Sequence, residues 1–145
     1  MSEEMIETAK VVMADTFKFY LRAHNYHWNV EGPNFLQHHE LFEKIYTEVF
    51  EALDTIAEQI RAMDAYVPGS ASRFSELSSL EDEREIPNPH DMLVRLFNDN
   101  EQLLANIQIA YDRAEAAGNH GFSNLLADRQ AAHKKHRWML KSTLK

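Results

Sequence analysis

The chain has 145 residues, 44% hydrophobic and 26% charged, which is an ordinary composition for a soluble protein with one core. It contains no cysteine, which excludes disulfide frameworks, thiolate zinc sites, iron-sulfur clusters and cysteine nucleophiles. Its net charge of -8 argues against nucleic acid as the default partner, because a negative surface repels phosphate. We expect a single domain, residues 1–145, in a cytosolic protein without a membrane span.

Four long helices are predicted between the residues that break helices. All four Gly and all four Pro fall in four short segments: 31–34, 67–70, 86–89 and 117–121. A Gly or Pro inside a helix costs about 1 or about 3 kcal/mol, respectively, so the stretches between these segments favour helix. Apolar residues recur there at intervals of three and four. The predicted helices are residues 3–30, 35–66, 90–116 and 122–143.

The connections between these helices are uneven. Asn34 with Gln37 resembles a capping box, and Asn88 before Pro89 is typical of an N-cap followed by a proline at the first helical position. About 20 residues separate the second and third helices, which leaves room for one short helical turn at residues 74–80. Short loop, long crossover, short loop is the order of a ferritin-like four-helix bundle, an all-α fold.

Four potential metal ligands share one face of the second predicted helix. His39 and Glu43 are four residues apart, and so are Asp54 and Glu58. At ~100° per residue, all four fall in one polar stripe. Imidazole with carboxylate suits Fe, Mn or Zn. The two pairs are separated by ~22 Å along the helix, so one chain cannot direct both pairs at one ion.

The spacing of the two pairs is symmetric and predicts a site shared by two chains. Positions 39 and 58 have the same midpoint, 48.5, as positions 43 and 54. A two-fold axis there would bring each pair against the opposite pair of an identical antiparallel helix. The sequence has no Glu-x-x-His, so a conventional di-iron centre inside one bundle is not expected. From spacing alone, a plain solvated helix face remains the alternative.

The motifs around this stripe resemble those of the Dps family, the DNA-binding proteins from starved cells. The resemblance is carried by segments 27–30, 32–35, 39–43, 54–58, 74–77 and 136–140. It covers nearly the whole chain. It implies a ferritin-like subunit, twelve of which form a hollow shell that oxidises Fe(II), commonly with hydrogen peroxide, stores ferric mineral and protects against oxidative damage.

The resemblance also implies a set of site residues. Five positions match metal ligands, three from one subunit and two from its two-fold partner: His27, His39 and Glu43, then Asp54 and Glu58. Trp28 matches a tryptophan beside the family's site, where it either takes up oxidising equivalents or simply packs. We therefore expect a ferroxidase with iron as its metal.

Two departures from the family pattern bear on pores and DNA. Residues 118–124 lack the acids that often line a three-fold entry pore, and residues 1–16 carry four acids against Lys10 alone. The last twelve residues carry five cations and no acid, a pattern that also complements a helix C-terminus. We expect DNA binding to be weak or absent.

Two other functions remain open from the sequence. One is a DNA-compacting shell with little ferroxidase activity, and the other is a shell that binds zinc or manganese without oxidase activity. His133 and His136 are expected to be structural or surface residues, since no carboxylate shares their turn.

Overall fold

The computed structural model describes residues 2–145, in which every regular element is a helix. The helices are α1 Ser2–Asn29, α2 Phe35–Ala62, α3 Ala71–Leu77, α4 Pro89–Ala116 and α5 His120–Leu144. The four long helices form a bundle, and the short α3 lies in the crossover from α2 to α4. This confirms the predicted all-α four-helix fold with its long crossover. In the described part of the chain, no helix combines the length and the apolar character needed to cross a bilayer.

The observed helix bounds lie within a few residues of the predicted ones. The largest difference is at α2, which ends at Ala62 rather than at residue 66. Asp64, two residues after the end of α2, adopts a left-handed φ of 61°, a conformation that prevents the helix from continuing. The crossover helix begins earlier than predicted because Ser70 caps it by accepting a hydrogen bond from the amide of Arg73.

The two predicted cap sites have different outcomes. Asn88 caps α4 as expected, because its side chain accepts from the Asp91 amide and Pro89 follows at the first turn. Asn34 precedes α2 but its side chain makes no capping hydrogen bond, so the capping box with Gln37 was wrong. The first turn of α2 is held only by backbone bonds, such as that from the His38 amide to the Asn34 carbonyl.

A buried carboxylate fixes the crossover against α1 and α4. Asp15 is fully buried and accepts hydrogen bonds from the Ser78 hydroxyl at 2.7 Å and from the Ser79 amide at 2.7 Å. It also accepts from the Ser79 hydroxyl at 2.9 Å and from Asn106 Nδ2 at 2.7 Å. Because these bonds hold the crossover on α1 and α4, the α2 face with the polar stripe stays exposed.

A buried polar network links α2, α4 and α5. Arg129 donates to both carboxylate oxygens of Glu48, at 2.5 and 3.0 Å, and His136 Nε2 donates to Glu48 at 2.8 Å. Arg129 also donates to His133 Nε2 at 3.1 Å, so the His133 proton is on Nδ1, which donates to Asn100 at 2.8 Å. Both histidines are buried and serve this network.

The free energy of unfolding should fall as the pH drops below about 6.5. Burial, and then the charge of Arg129, hold the pKa of His133 well below its usual value, so only the unfolded chain binds this proton. Burial alone would raise the pKa of Glu48, but hydrogen bonds from His136 and Arg129 outweigh it and keep that pKa low. Glu48 therefore adds a loss of stability below about pH 4.5.

Protonation of Asp99 has the opposite effect on stability and offsets part of the stability lost at low pH. Burial raises the pKa of Asp99 to about 6, so its protonation stabilises the fold as the pH falls from about 6 toward 3.8. Thermal unfolding midpoints measured across this range would show the net decline. His133→Gln keeps a donor and an acceptor and should flatten the decline between pH 7 and 5; an unchanged slope would contradict the assignment.

Candidate metal centre

Three potential ligands lie together where the end of α1 meets the start of α2. One ligating atom from each of His27, His39 and Glu43 lies within 4.8 Å of the other two. His27 is buried, His39 is half-buried and Glu43 is exposed, so the cluster opens to the surface. Two imidazoles and one carboxylate form a donor set that suits Fe, Mn or Zn.

The two histidines fix one another across the α1–α2 connection. His27 Nδ1 donates to the carbonyl oxygen of His39 at 2.9 Å, and His39 Nδ1 donates to the carbonyl oxygen of His27 at 2.7 Å. A carbonyl oxygen only accepts, so both Nδ1 atoms carry hydrogen and both Nε2 atoms keep a lone pair. The rings stack with their centroids 3.7 Å apart. In this tautomer each imidazole keeps one nitrogen, Nε2, free to bind a metal.

The other two predicted ligands lie elsewhere in the same chain. Asp54 and Glu58 are exposed on α2, and the helix carries them ~22 Å away from His39 and Glu43. Between the two pairs lies Phe50, a large apolar side chain that is 56% exposed. The structure therefore brings three of the five predicted ligands together within one chain and leaves two on the same helix at a distance.

An aromatic cluster packs beside the histidines, and the sequence identified only one of its members. His24 stacks on Tyr46 with ring centroids 3.8 Å apart. The ring centroids of His24 and Trp28 are 3.9 Å apart, and the Trp28 side chain is 60% exposed. The Tyr20 hydroxyl lies 2.8 Å from His24 Nδ1, and the Tyr46 ring meets His27 edge-on at 5.1 Å. Helical spacing along α1, at positions 20, 24, 27 and 28, is the signal that could have found them.

The cluster keeps both partners of its internal hydrogen bond uncharged near neutral pH. Burial, and then the proximity of His27, lower the pKa of His24. Burial, and then Tyr46, raise the pKa of Tyr20. A neutral phenol therefore meets a neutral imidazole.

One carboxylate, that of Glu115, lies just before the acid-free residues 118–124 at the α4–α5 turn. Glu115 accepts a hydrogen bond from the Ser123 hydroxyl at 2.6 Å and lies 3.4 Å from His120 Nδ1. These two hydrogen bonds lower the pKa of Glu115. Glu115 could not be assigned to this turn from the sequence, because it precedes Gly118 on α4 and only the fold brings α5 back against it.

Comparison with known proteins gives consistent matches over nearly the full chain. Residues 10–145 match the model of the ferritin-like domain. The chain is 31% identical over 132 residues to the DNA protection during starvation protein of Brevibacillus brevis, covering 91% of this chain and 89% of the relative. The crystal structure of antigen TpF1 from Treponema pallidum superposes with a TM-score of 0.95 at 32% identity, covering 99% and 93% of the two chains. A Dps protein from Vibrio cholerae, described as a member of the ferritin-like diiron-carboxylate superfamily, superposes with a TM-score of 0.94 at 26% identity, covering 99% and 91%.

The bundle, its long crossover and the domain match define a ferritin-like protein. Within this class, the chain belongs to the Dps family, as its motifs had indicated. In general terms the family comprises iron-storage mini-ferritins with a part in stress protection, and the superfamily implies iron binding.

Proposed function

We propose that the protein oxidises Fe(II) with hydrogen peroxide and sequesters the ferric product inside a shell of twelve identical subunits. The observation that carries this proposal is the triad of His27, His39 and Glu43, held ready at one end of a polar stripe whose mirror-related end carries two more carboxylates. Family membership supports iron as the metal. Removal of peroxide is the protective consequence.

Each complete site would be built by two subunits. One subunit supplies the triad, and its two-fold partner supplies Asp54 and Glu58. Two facts support this arrangement: the pairs are ~22 Å apart within one chain, and Phe50 is exposed midway between them, where a two-fold axis would bring two α2 helices into contact. An exposed side chain of this size is readily buried at such an interface.

The ligand chemistry favours the ferric state. Two neutral imidazoles and three carboxylates would surround the iron, and the extra positive charge of Fe(III) interacts more strongly with anionic oxygen. Carbonyl-bound Nδ1 atoms keep both imidazoles in the metal-binding tautomer. The acidic subunit, with its net charge of -8, would attract Fe(II) and retain ferric product.

Glu58→Ala should slow peroxide-driven oxidation by at least ~10-fold, about 1.4 kcal/mol in the barrier. Glu58 is exposed on α2, so its loss removes a ligand and no core volume. Fe(II) is added anaerobically to assembled protein, then peroxide, and the ferric product is followed optically in a single turnover. Asp112→Ala, which removes an exposed carboxylate from α4, is the control. Unchanged oxidation in an assembled Glu58→Ala shell would move the site elsewhere.

DNA binding should be weak or absent at physiological ionic strength. Twelve copies would carry a charge of about -96, screened over ~8 Å, and only the C-terminal cations oppose it. One of these cations, Arg137, already faces Glu101 at 3.4 Å. A gel shift of supercoiled DNA at ~150 mM salt tests this, and retention that falls steeply with added salt would show the C-terminal segment to be an effective binding surface.

A further inference from the structure

The aromatic cluster contains a hydrogen bond that the proposed iron chemistry does not yet use. The Tyr20 hydroxyl lies 2.8 Å from His24 Nδ1, and the two rings meet edge-on with centroids 5.5 Å apart. A phenol is an oxidisable side chain, and it gives up an electron more easily when its proton has an acceptor. Among residues 2–145, Tyr20 is the tyrosine whose hydroxyl is paired with an imidazole.

Ring contacts join Tyr20 to a metal ligand. The Tyr20 ring lies 6.2 Å from that of Tyr46, and His24 stacks on Tyr46 at 3.8 Å. Tyr46 in turn lies 5.1 Å from the ring of His27, one of the three clustered ligands. The side chains between the phenol and the metal centre are therefore aromatic and in contact, which is a short path for one electron.

The electron balance of the proposed reaction gives this path a role. Hydrogen peroxide accepts two electrons, but one ferrous ion supplies only one. Three ligands from one chain and two from its partner suffice for a single tightly held ion. If no second electron is delivered when the O–O bond breaks, the other product is hydroxyl radical.

We propose that Tyr20 supplies this second electron and that His24 Nδ1 takes up its hydroxyl proton. Fe(II) becomes Fe(III), the O–O bond breaks, and peroxide leaves as two hydroxide ions. Tyr20 is left as a neutral phenoxyl radical beside protonated His24. A second Fe(II) then returns one electron to Tyr20, and His24 returns the proton. The sum is two Fe(II) oxidised for each peroxide, with no hydroxyl radical released.

This inference rests on the proposed function and assigns it a redox-active side chain. Trp28 and Tyr46 are the other oxidisable rings in the cluster, but of these three side chains Tyr20 is the one that the structure hydrogen-bonds to an imidazole. The paired phenol can pass its proton over one hydrogen bond and take it back. Tyr20 is thus the residue of the cluster that can be oxidised and restored without exchange with solvent.

The experiment is rapid freeze-quench EPR on assembled protein loaded anaerobically with one Fe(II) per site and mixed with peroxide. The wild-type protein should give a radical signal that narrows when ring-deuterated tyrosine is incorporated. Tyr20→Phe, which keeps the ring contacts, should lose that signal and release spin-trapped hydroxyl radical. Tyr111→Phe, at a half-buried tyrosine on α4, should behave as wild type.

A second variant separates proton transfer from packing. His24→Gln can still accept a hydrogen bond from Tyr20 but cannot take its proton, so it should also lose the tyrosyl signal. A tryptophan radical in place of the tyrosyl signal, or a full signal in Tyr20→Phe, would overturn the inference while iron oxidation stands. Failure of the wild-type protein to oxidise Fe(II) with peroxide would instead overturn the proposed function, and this inference with it.

Discussion

Two inactive variants should restore each other's iron oxidation when their subunits are mixed. His39→Ala/Glu43→Ala and Asp54→Ala/Glu58→Ala each leave every site of a homodimer with half of its α2 ligands. In a mixed dimer, one site regains all four ligands and the other has none. After dissociation and random reassembly of equal amounts, about a quarter of all sites should be active, because half of the dimers are mixed.

The measurement compares single-turnover ferric formation before and after reassembly, with mixed dimers verified by mass. Reassembly of each variant alone is the control and should regain nothing. If mixed dimers form but oxidation never returns, the sharing of one site between two subunits is wrong. A site confined to one chain could use only one of the two pairs, so one of the two variants would already be active before mixing.

Replacing Glu48 by Leu should cost about 2–3 kcal/mol of unfolding free energy, less than for a fully buried pair because the Glu48 side chain is 39% exposed. Arg129, with its side chain only 6% exposed, would lose both carboxylate contacts and remain as a buried charge without its counterion. His136 would lose its acceptor as well. Chemical denaturation of the folded protein gives the value.

Two further variants show whether this cost comes from the stranded charge. Glu51→Leu, three residues further along α2 and exposed, should change stability by no more than about 0.5 kcal/mol. Adding Arg129→Met to Glu48→Leu should recover most of the loss, because the unpaired charge is then gone. A Glu48→Leu chain as stable as the Glu51→Leu chain would show that the ion pair contributes nothing.

The helices were predictable because the residues that break them are confined to four places. Local chemistry decides such boundaries, and Pro89 after Asn88 is an example. The end of α2 was less predictable, since nothing in the sequence marks Asp64 as the residue that takes the left-handed conformation. The prediction that the Asn34 side chain caps α2 was wrong for a similar reason. The backbone geometry of the preceding loop decides whether that side chain can reach the helix amides.

The relative positions of the candidate ligands were predictable to the extent that these residues share one helix. The stripe from His39 to Glu58 follows from helical periodicity, and the symmetric spacing indicates a second chain. The contacts between helices were not predictable in this way. Glu48 and Arg129 are 81 residues apart, and Tyr20 and Tyr46 meet only because α1 packs against α2.

The crossed backbone bonds of His27 and His39 have a consequence for the order of assembly. They form when α1 and α2 fold against each other, so two imidazoles are immobilised before any ion or second subunit arrives. In the proposed shared site, a lone subunit would already be a weak receptor for divalent ions, and dimerisation would add two carboxylates to this half-site. Ion capture and subunit pairing become thermodynamically linked, so iron should tighten the dimer by the same factor by which the dimer tightens iron.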